Sequence, residues 1–158
     1  MRILLVCLGN ICRSPTAEAA LREALAEAGM NGRVEVDSAG TGDWHVGQPP
    51  DRRMTAAAAV AGLRLAGRAR VIRPDDFETA DLILVMDRSN LEDALALAPT
   101  REAQAKVRLF RDFEAGADHD EVPDPYYGGA DGFSRVVRIT RAAARGLVRH
   151  LQQQEQLT

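Results

Sequence analysis

The chain has 158 residues, 46% of them hydrophobic and 27% charged, and a net charge of −3. That length suits one globular domain spanning residues 1–158. The composition excludes disordered and collagen-like classes, and no apolar run approaches the roughly 20 residues of a bilayer span. The mild acidity gives no general pull toward nucleic acid or anionic lipid, so neither is an expected partner.

Two cysteines, Cys7 and Cys12, form neither a secreted disulfide framework nor a common zinc spacing. The opening "MRILLVCLGN" lacks the length and small-residue cleavage site of a secretory signal. A reducing cytoplasm is the expected location.

In chain order, "RILLVC" (2–7) is a continuous apolar run, as for a strand buried on both faces. Ser14 and Pro15 suit an N-cap and first helical residue. Ala17, Leu21, Ala24, Leu25 and Ala28 then recur at helical spacing until Gly29. "RVEVDSAG" (33–40) reads as a second strand, 41–50 as a loop and 51–63 as an Ala-rich helix. "ADLILVMD" (80–87) is a third strand. "SNLEDALAL" (89–97) is a helix opened by a Ser89/Glu92 capping box. "KVRLF" (106–110) is a fourth strand and 114–132 a long acidic loop. The last helix, about 131–153, buries Phe133, Val136, Val137, Thr140, Ala144, Leu147 and Leu151.

Strands alternating with helices predict an α/β fold: a single doubly wound domain with a four-stranded parallel sheet and helices on both faces. Ligands of such folds bind beyond the carboxyl ends of the strands. That places the loop after the first strand, the "DSAGTGDWH" loop and the acidic loop at one mouth.

The first loop, "CLGNICRSP", carries the chemistry. Its backbone N–H groups, from Leu8 through Cys12, can curl around one anion, with Gly9 and Asn10 tolerating positive φ. The helix N-terminus adds partial positive charge. Arg13 adds a planar fork for two oxygens. Such surroundings suit phosphate and favour the thiolate of Cys7, since helix N-termini and arginines lower thiol pKa to roughly 3.5–7.5. No G-x-x-x-x-G-K-[ST] and no G-x-G-x-x-G is present, so nucleotide cofactors are not expected, and a closed zinc site lacks ligands.

C-x5-R-S at the N-terminus, "DPYYG" far downstream, "DSAGT" and "VMDRSN" resemble the low-molecular-weight protein tyrosine phosphatase family over essentially the whole chain. The resemblance implies hydrolysis of phosphotyrosine in proteins through a phosphocysteine intermediate, with no cofactor. Cys7 matches the nucleophile, Arg13 the phosphate clamp and Asp124 the general acid and base. Pro123 and Pro125 flank Asp124 and stiffen the backbone that aims it. Ser14 matches the hydroxyl that stabilises the thiolate. Leu8, Gly9, Asn10, Ile11 and Cys12 would form the phosphate cradle, with Asn10 and Ser38 as loop supports. Trp44, Tyr126 and Tyr127 would clasp a phenyl ring. Expected partners are a tyrosine-phosphorylated protein and inorganic phosphate as product and competitive ligand, acting on a monomer or weak dimer.

Several readings stay open. Cys12 either packs or forms a reversible disulfide with Cys7. Asp118, Asp120 and Glu121 read as a solvated charge run. His45, His119 and His150 read as surface residues. Arg135, Arg138, Arg141, Arg145 and Arg149 read as the wet face of a helix. Gly67 in "AGRAR" stands where many family members carry a His. The competing functions are arsenate reduction, which lacks a further resolving cysteine, and non-catalytic phosphate binding, which needs no ionised sulfur. Phosphoarginine hydrolysis also competes. Related arginine phosphatases have Thr where this chain has Ile11, and an apolar Ile11 better suits an aryl ring.

Overall fold

The computed structural model describes residues 1–125 and 129–157. Four strands, β1 (Arg2–Cys7), β2 (Glu35–Gly40), β3 (Leu82–Val85) and β4 (Val107–Leu109), form one parallel sheet in the order β2-β1-β3-β4. The helices are α1 (Arg13–Glu27), α2 (Arg52–Val60), α3 (Pro74–Thr79), α4 (Arg88–Leu97), α5 (Arg101–Ala105) and α6 (Ala130–Leu157), with a 3₁₀ turn at Phe110–Phe113. The α/β class and the four parallel strands are as the sequence predicts.

Strand β1 explains the layering. Its side chains alternate in direction. Ile3, Leu5 and Cys7 enter a core shared with α1, α2 and α6, while Leu4 and Val6 enter a second core with Phe77 of α3, Ala94 of α4 and Ala103 of α5. Two buried faces require the unbroken apolar run. Because β1 pairs with both β2 and β3, the winding reverses beside it. The loop after β1 therefore opens at the switch point where such sheets bind ligands.

Helix α1 buries Ala17, Ala20, Leu21, Ala24 and Leu25, a stripe at i, i+3, i+4, i+7 and i+8. Gly29, at φ 70°, stops it. The N–H of Met30 donates to the carbonyl of Leu25 and that of Gly29 to Ala26, a Schellman ending. The stripe packs on α6, where all seven residues expected in the core are buried. Truncating Leu147, fully enclosed in this seam, to Ala would cost about 2–5 kcal/mol. Gly146 marks where the 3₁₀ turn docks on α6, since a Cβ there would lie 1.8 Å from the Phe113 carbonyl oxygen.

Most boundaries move by a few residues, and two helix starts and two short helices differ in kind. Helix α1 begins at Arg13 with Cys12 as N-cap, so Ser14 and Pro15 are its second and third residues. Proline is tolerated there because the first four N–H groups have no intrahelical partner. Helix α4 is capped by Asp87, whose Oδ1 accepts the Asn90 N–H at 2.7 Å; Ser89 lies inside the helix and the expected capping box does not form. Helices α3 and α5 were not predicted, being six and five residues long and too short to show periodicity. Their signals are local: Pro74 and Asp76 open α3, and Thr100 caps α5 by accepting the Ala103 N–H.

Candidate active site

Cys7 ends β1, and its sulfur lies beneath the loop. Sγ accepts the Asn10 N–H at 3.2 Å and lies 3.1 Å from Ser14 Oγ. Asn10 adopts φ 57°, a left-handed conformation rare outside glycine. Its buried side chain holds that turn by using every polar group it has. Nδ2 donates to Ser14 Oγ at 2.8 Å and to Ser38 Oγ at 3.0 Å, and Oδ1 accepts the Arg70 N–H at 3.0 Å. Since Ser14 Oγ accepts from Asn10, its own proton can be donated to the sulfur at 3.1 Å or to the Ala39 carbonyl at 3.5 Å. The network thus closes through the Arg70 backbone, with no side chain required at Gly67. Gly40, at the end of β2, permits the loop to lie against it: a Cβ there would meet the Leu8 carbonyl oxygen at 2.7 Å.

Arg13 is 3% exposed. Its Nη1 donates to Asp87 Oδ2 at 2.6 Å and to the Val122 carbonyl at 3.0 Å, and its Nη2 lies 3.7 Å from Asp124 Oδ2. Burial opposes its charge, but Cys7, Asp87 and Asp124 outweigh that and raise its pKa above the ordinary arginine value. The guanidinium is therefore a fixed cation. With Nη1 engaged, its Nε and Nη2 edge is the part suited to gripping an anion. Cys12, by contrast, is pushed up to about 12, chiefly by burial, with Asp51 and Cys7 adding to it. It stays a neutral thiol, and both cysteines are free.

Cys7, Leu8, Gly9, Ile11, Cys12, Arg13, Trp44, His45 and Asp124 line a cleft of about 370 Å³. The first-strand loop, the loop after β2 and the acidic loop thus meet at one mouth. Leu8 and Trp44 are exposed at 38% and 69%, large apolar side chains left open to a ligand. Tyr126 and Tyr127 lie outside the described residues.

The structure adds to the sequence reading here. His45 is not a bystander: it lines the cleft and would lie 2.9 Å from a Cβ on Gly9, and its Nδ1 is 2.9 Å from Gln48 Oε1. Asp87, not singled out from the sequence, both caps α4 and fixes Arg13. The available signal was an acid at the carboxyl end of a buried strand, where such folds place ligands. The acidic run is not simply solvated: Asp118 pairs with Arg111 at 2.8 Å, Asp120 with Arg88, and Glu121 Oε2 accepts the Arg88 N–H at 2.8 Å. Arg141 also leaves the proposed wet face, pairing with Glu23 at 2.9 Å.

Comparison with known proteins identifies the family. The family model for low molecular weight phosphotyrosine protein phosphatase matches residues 2–157. A putative low molecular weight protein-tyrosine-phosphatase of Synechocystis is 44% identical over 151 residues, covering 96% of each chain. A low molecular weight protein-tyrosine-phosphatase of Streptomyces coelicolor is 45% identical over 156 residues, covering 97% of this chain and 94% of its own. The crystal structure of a protein tyrosine phosphatase from Entamoeba histolytica, with Hepes in its active site, superposes with a TM-score of 0.94 at 37% identity. That match covers 98% of this chain and 99% of the other. With the family model spanning residues 2–157 and relatives 44–45% identical over nearly the whole chain, the chain is an enzyme of the low molecular weight phosphotyrosine protein phosphatase family.

Proposed function

We propose that the enzyme hydrolyses phosphotyrosine in proteins by two displacements at phosphorus. In the first, the Cys7 sulfur attacks, the S–P bond forms and the P–O bond to the phenol breaks. Tyrosine's phenol has a pKa near 10, so its departure needs a proton; Asp124 supplies it. In the second, Asp124 takes a proton from water as the water oxygen attacks phosphorus, the S–P bond breaks and inorganic phosphate leaves. Arg13 and the N–H groups of residues 8–12 hold the three peripheral oxygens throughout, where charge accumulates.

The observation that carries this reading is the sulfur of Cys7, which accepts the Asn10 N–H and lies 3.1 Å from the Ser14 hydroxyl, with the buried Arg13 at the end of the same loop. A sulfur attacking phosphorus carries negative charge, and these groups are placed to donate to it. A module that only bound phosphate would gain nothing from them. Leu8, Ile11 and Trp44 in the cleft offer an apolar wall to an aryl ring, which favours phosphotyrosine over phosphoarginine. We read the working enzyme as a cytoplasmic monomer or weak dimer, with product phosphate competing for the same cup.

The test is a comparison of phosphotyrosine, phosphoserine, phosphoarginine and arsenate as substrates of the purified protein. The reading expects kcat/KM for phosphotyrosine to exceed the others by at least about 10². A preference for phosphoarginine, or thiol-dependent arsenate reduction, would replace it.

A further inference from the structure

Residues 114–121, which lead into the Asp124 segment, include none that is buried. Apolar burial therefore does not hold this stretch; Arg88 at its far end and the enclosed Arg111 do. Arg111, at 6% exposure, is surrounded by the loop it precedes. Its Nε and Nη2 donate to the two carboxylate oxygens of Glu114 at 3.2 Å each, and Nη2 also donates to Asp118 Oδ1 at 2.8 Å. Its Nη1 donates to the Glu121 carbonyl at 2.8 Å.

We propose that Arg111 is a positioning residue for the proton donor, fixing the Glu121 carbonyl and through it the aim of Asp124. The proposal rests on the reading of Asp124 as the general acid. From Glu121 the chain has little room to absorb a displacement. Val122 is gripped by the Met86 carbonyl through its N–H at 2.7 Å and by Arg13 through its own carbonyl. Pro123 and Pro125 then restrict the backbone on either side of Asp124. Arg13 steadies this segment from the cleft side and Arg111 from behind. Burial opposes the charge of Arg111, but the hydrogen bonds it donates to Glu114 and Asp118 prevail and raise its pKa, so it is a fixed cation. Only a guanidinium meets this set of acceptors. A lysine has one ammonium and cannot span the Glu114 carboxylate and the Glu121 carbonyl in one plane.

The experiment measures kcat/KM for phenyl phosphate, a poor leaving group, and 2,4-dinitrophenyl phosphate, a good one. The variants are Arg111→Met, Arg111→Lys, Asp118→Asn, Asp124→Asn and the Arg111→Met/Asp124→Asn double. Inhibition by inorganic phosphate and thermal unfolding report the cup and the fold. Arg111→Met is expected to lose about tenfold on phenyl phosphate and less than about twofold on the dinitrophenyl ester, as for a misplaced acid. Arg111→Lys should fall between it and the wild type, and phosphate inhibition should be unchanged. Removing Arg111 in the Asp124→Asn background should cause no further selective loss. Equal losses on both esters, or a full additional loss in the double variant, overturn the proposal. If Asp124→Asn itself shows no selectivity, the reading of Asp124 fails first; selectivity there but not in Arg111→Met removes Arg111 alone. Should Arg111→Met not fold, Asp118→Asn decides. Its side chain is 91% exposed, and a selective loss of about twofold supports the proposal while none refutes it.

Discussion

The two loops that meet at the cleft are held by opposite means. The Cys7–Arg13 loop is rigid because it is buried: Asn10, Arg13 and Ser14 are each at most 3% exposed, and the Asn10 amide is saturated with partners. The acidic loop is held from outside, by arginines at 13, 88 and 111 that reach its carbonyls and carboxylates. Attack at phosphorus needs an anion cup that does not reorganise as charge moves. Proton delivery needs a carboxylate that can approach and withdraw from a variable leaving group. Burial of the loop itself serves the first requirement, and arginines that grip an otherwise exposed loop serve the second.

Removing the nucleophile gives the largest expected effect. Cys7→Ser should lower turnover of an aryl phosphate by about 10⁴-fold or more while leaving phosphate affinity measurable by calorimetry. Substantial residual turnover would contradict the assignment of the sulfur. Next is the connection between the loops. Asp87→Asn keeps an acceptor for the α4 cap but loses the charge that fixes Arg13. It should reduce kcat/KM about tenfold with little change in Tm, whereas Asp87→Ala should also lose about 1 kcal/mol of capping. Equal Tm values for the two variants would show that the Asp87 cap adds no stability.

At Asn10 the turn and the network can be separated. Asn10→Gly retains the left-handed backbone and loses the side-chain bonds, while Asn10→Ala adds strain of about 1–2 kcal/mol. Both should slow alkylation of Cys7 by iodoacetate, and only the alanine variant should show the extra drop in Tm. The smallest effect concerns Cys12. Its thiol stays protonated to about 12 in the folded protein, above the ordinary value of 9.0. The native state therefore holds that proton more tightly, and stability should decline as pH rises from about 9 toward about 12. Chemical unfolding across that range should show a shallower decline for Cys12→Ala than for the wild type.

What the sequence disclosed follows from where the information lies. β1, α1 and α6 are long or unbroken apolar patterns, so class, sheet and core were legible in residues such as Leu4, Val6 and Leu147. The cup was legible because Cys7 through Ser14 are contiguous. Asp87, His45 and Arg111 were not, because their roles depend on approach to residues distant in the chain. Asp87 meets Arg13 across 74 positions. The acidic run was misread for the same reason: its partners, Arg88 and Arg111, carry no local mark that they turn toward it.

Gly146 gives the absence of a side chain a mechanical importance that its distance from the chemistry conceals. The Phe113 carbonyl occupies the space a methyl group would need, and Arg111 sits two residues upstream on the same short turn. One added carbon on the long terminal helix would push the Phe113 carbonyl, and with it the short turn that carries Arg111, off its seat, at a distance from the cleft and without touching any residue that lines it.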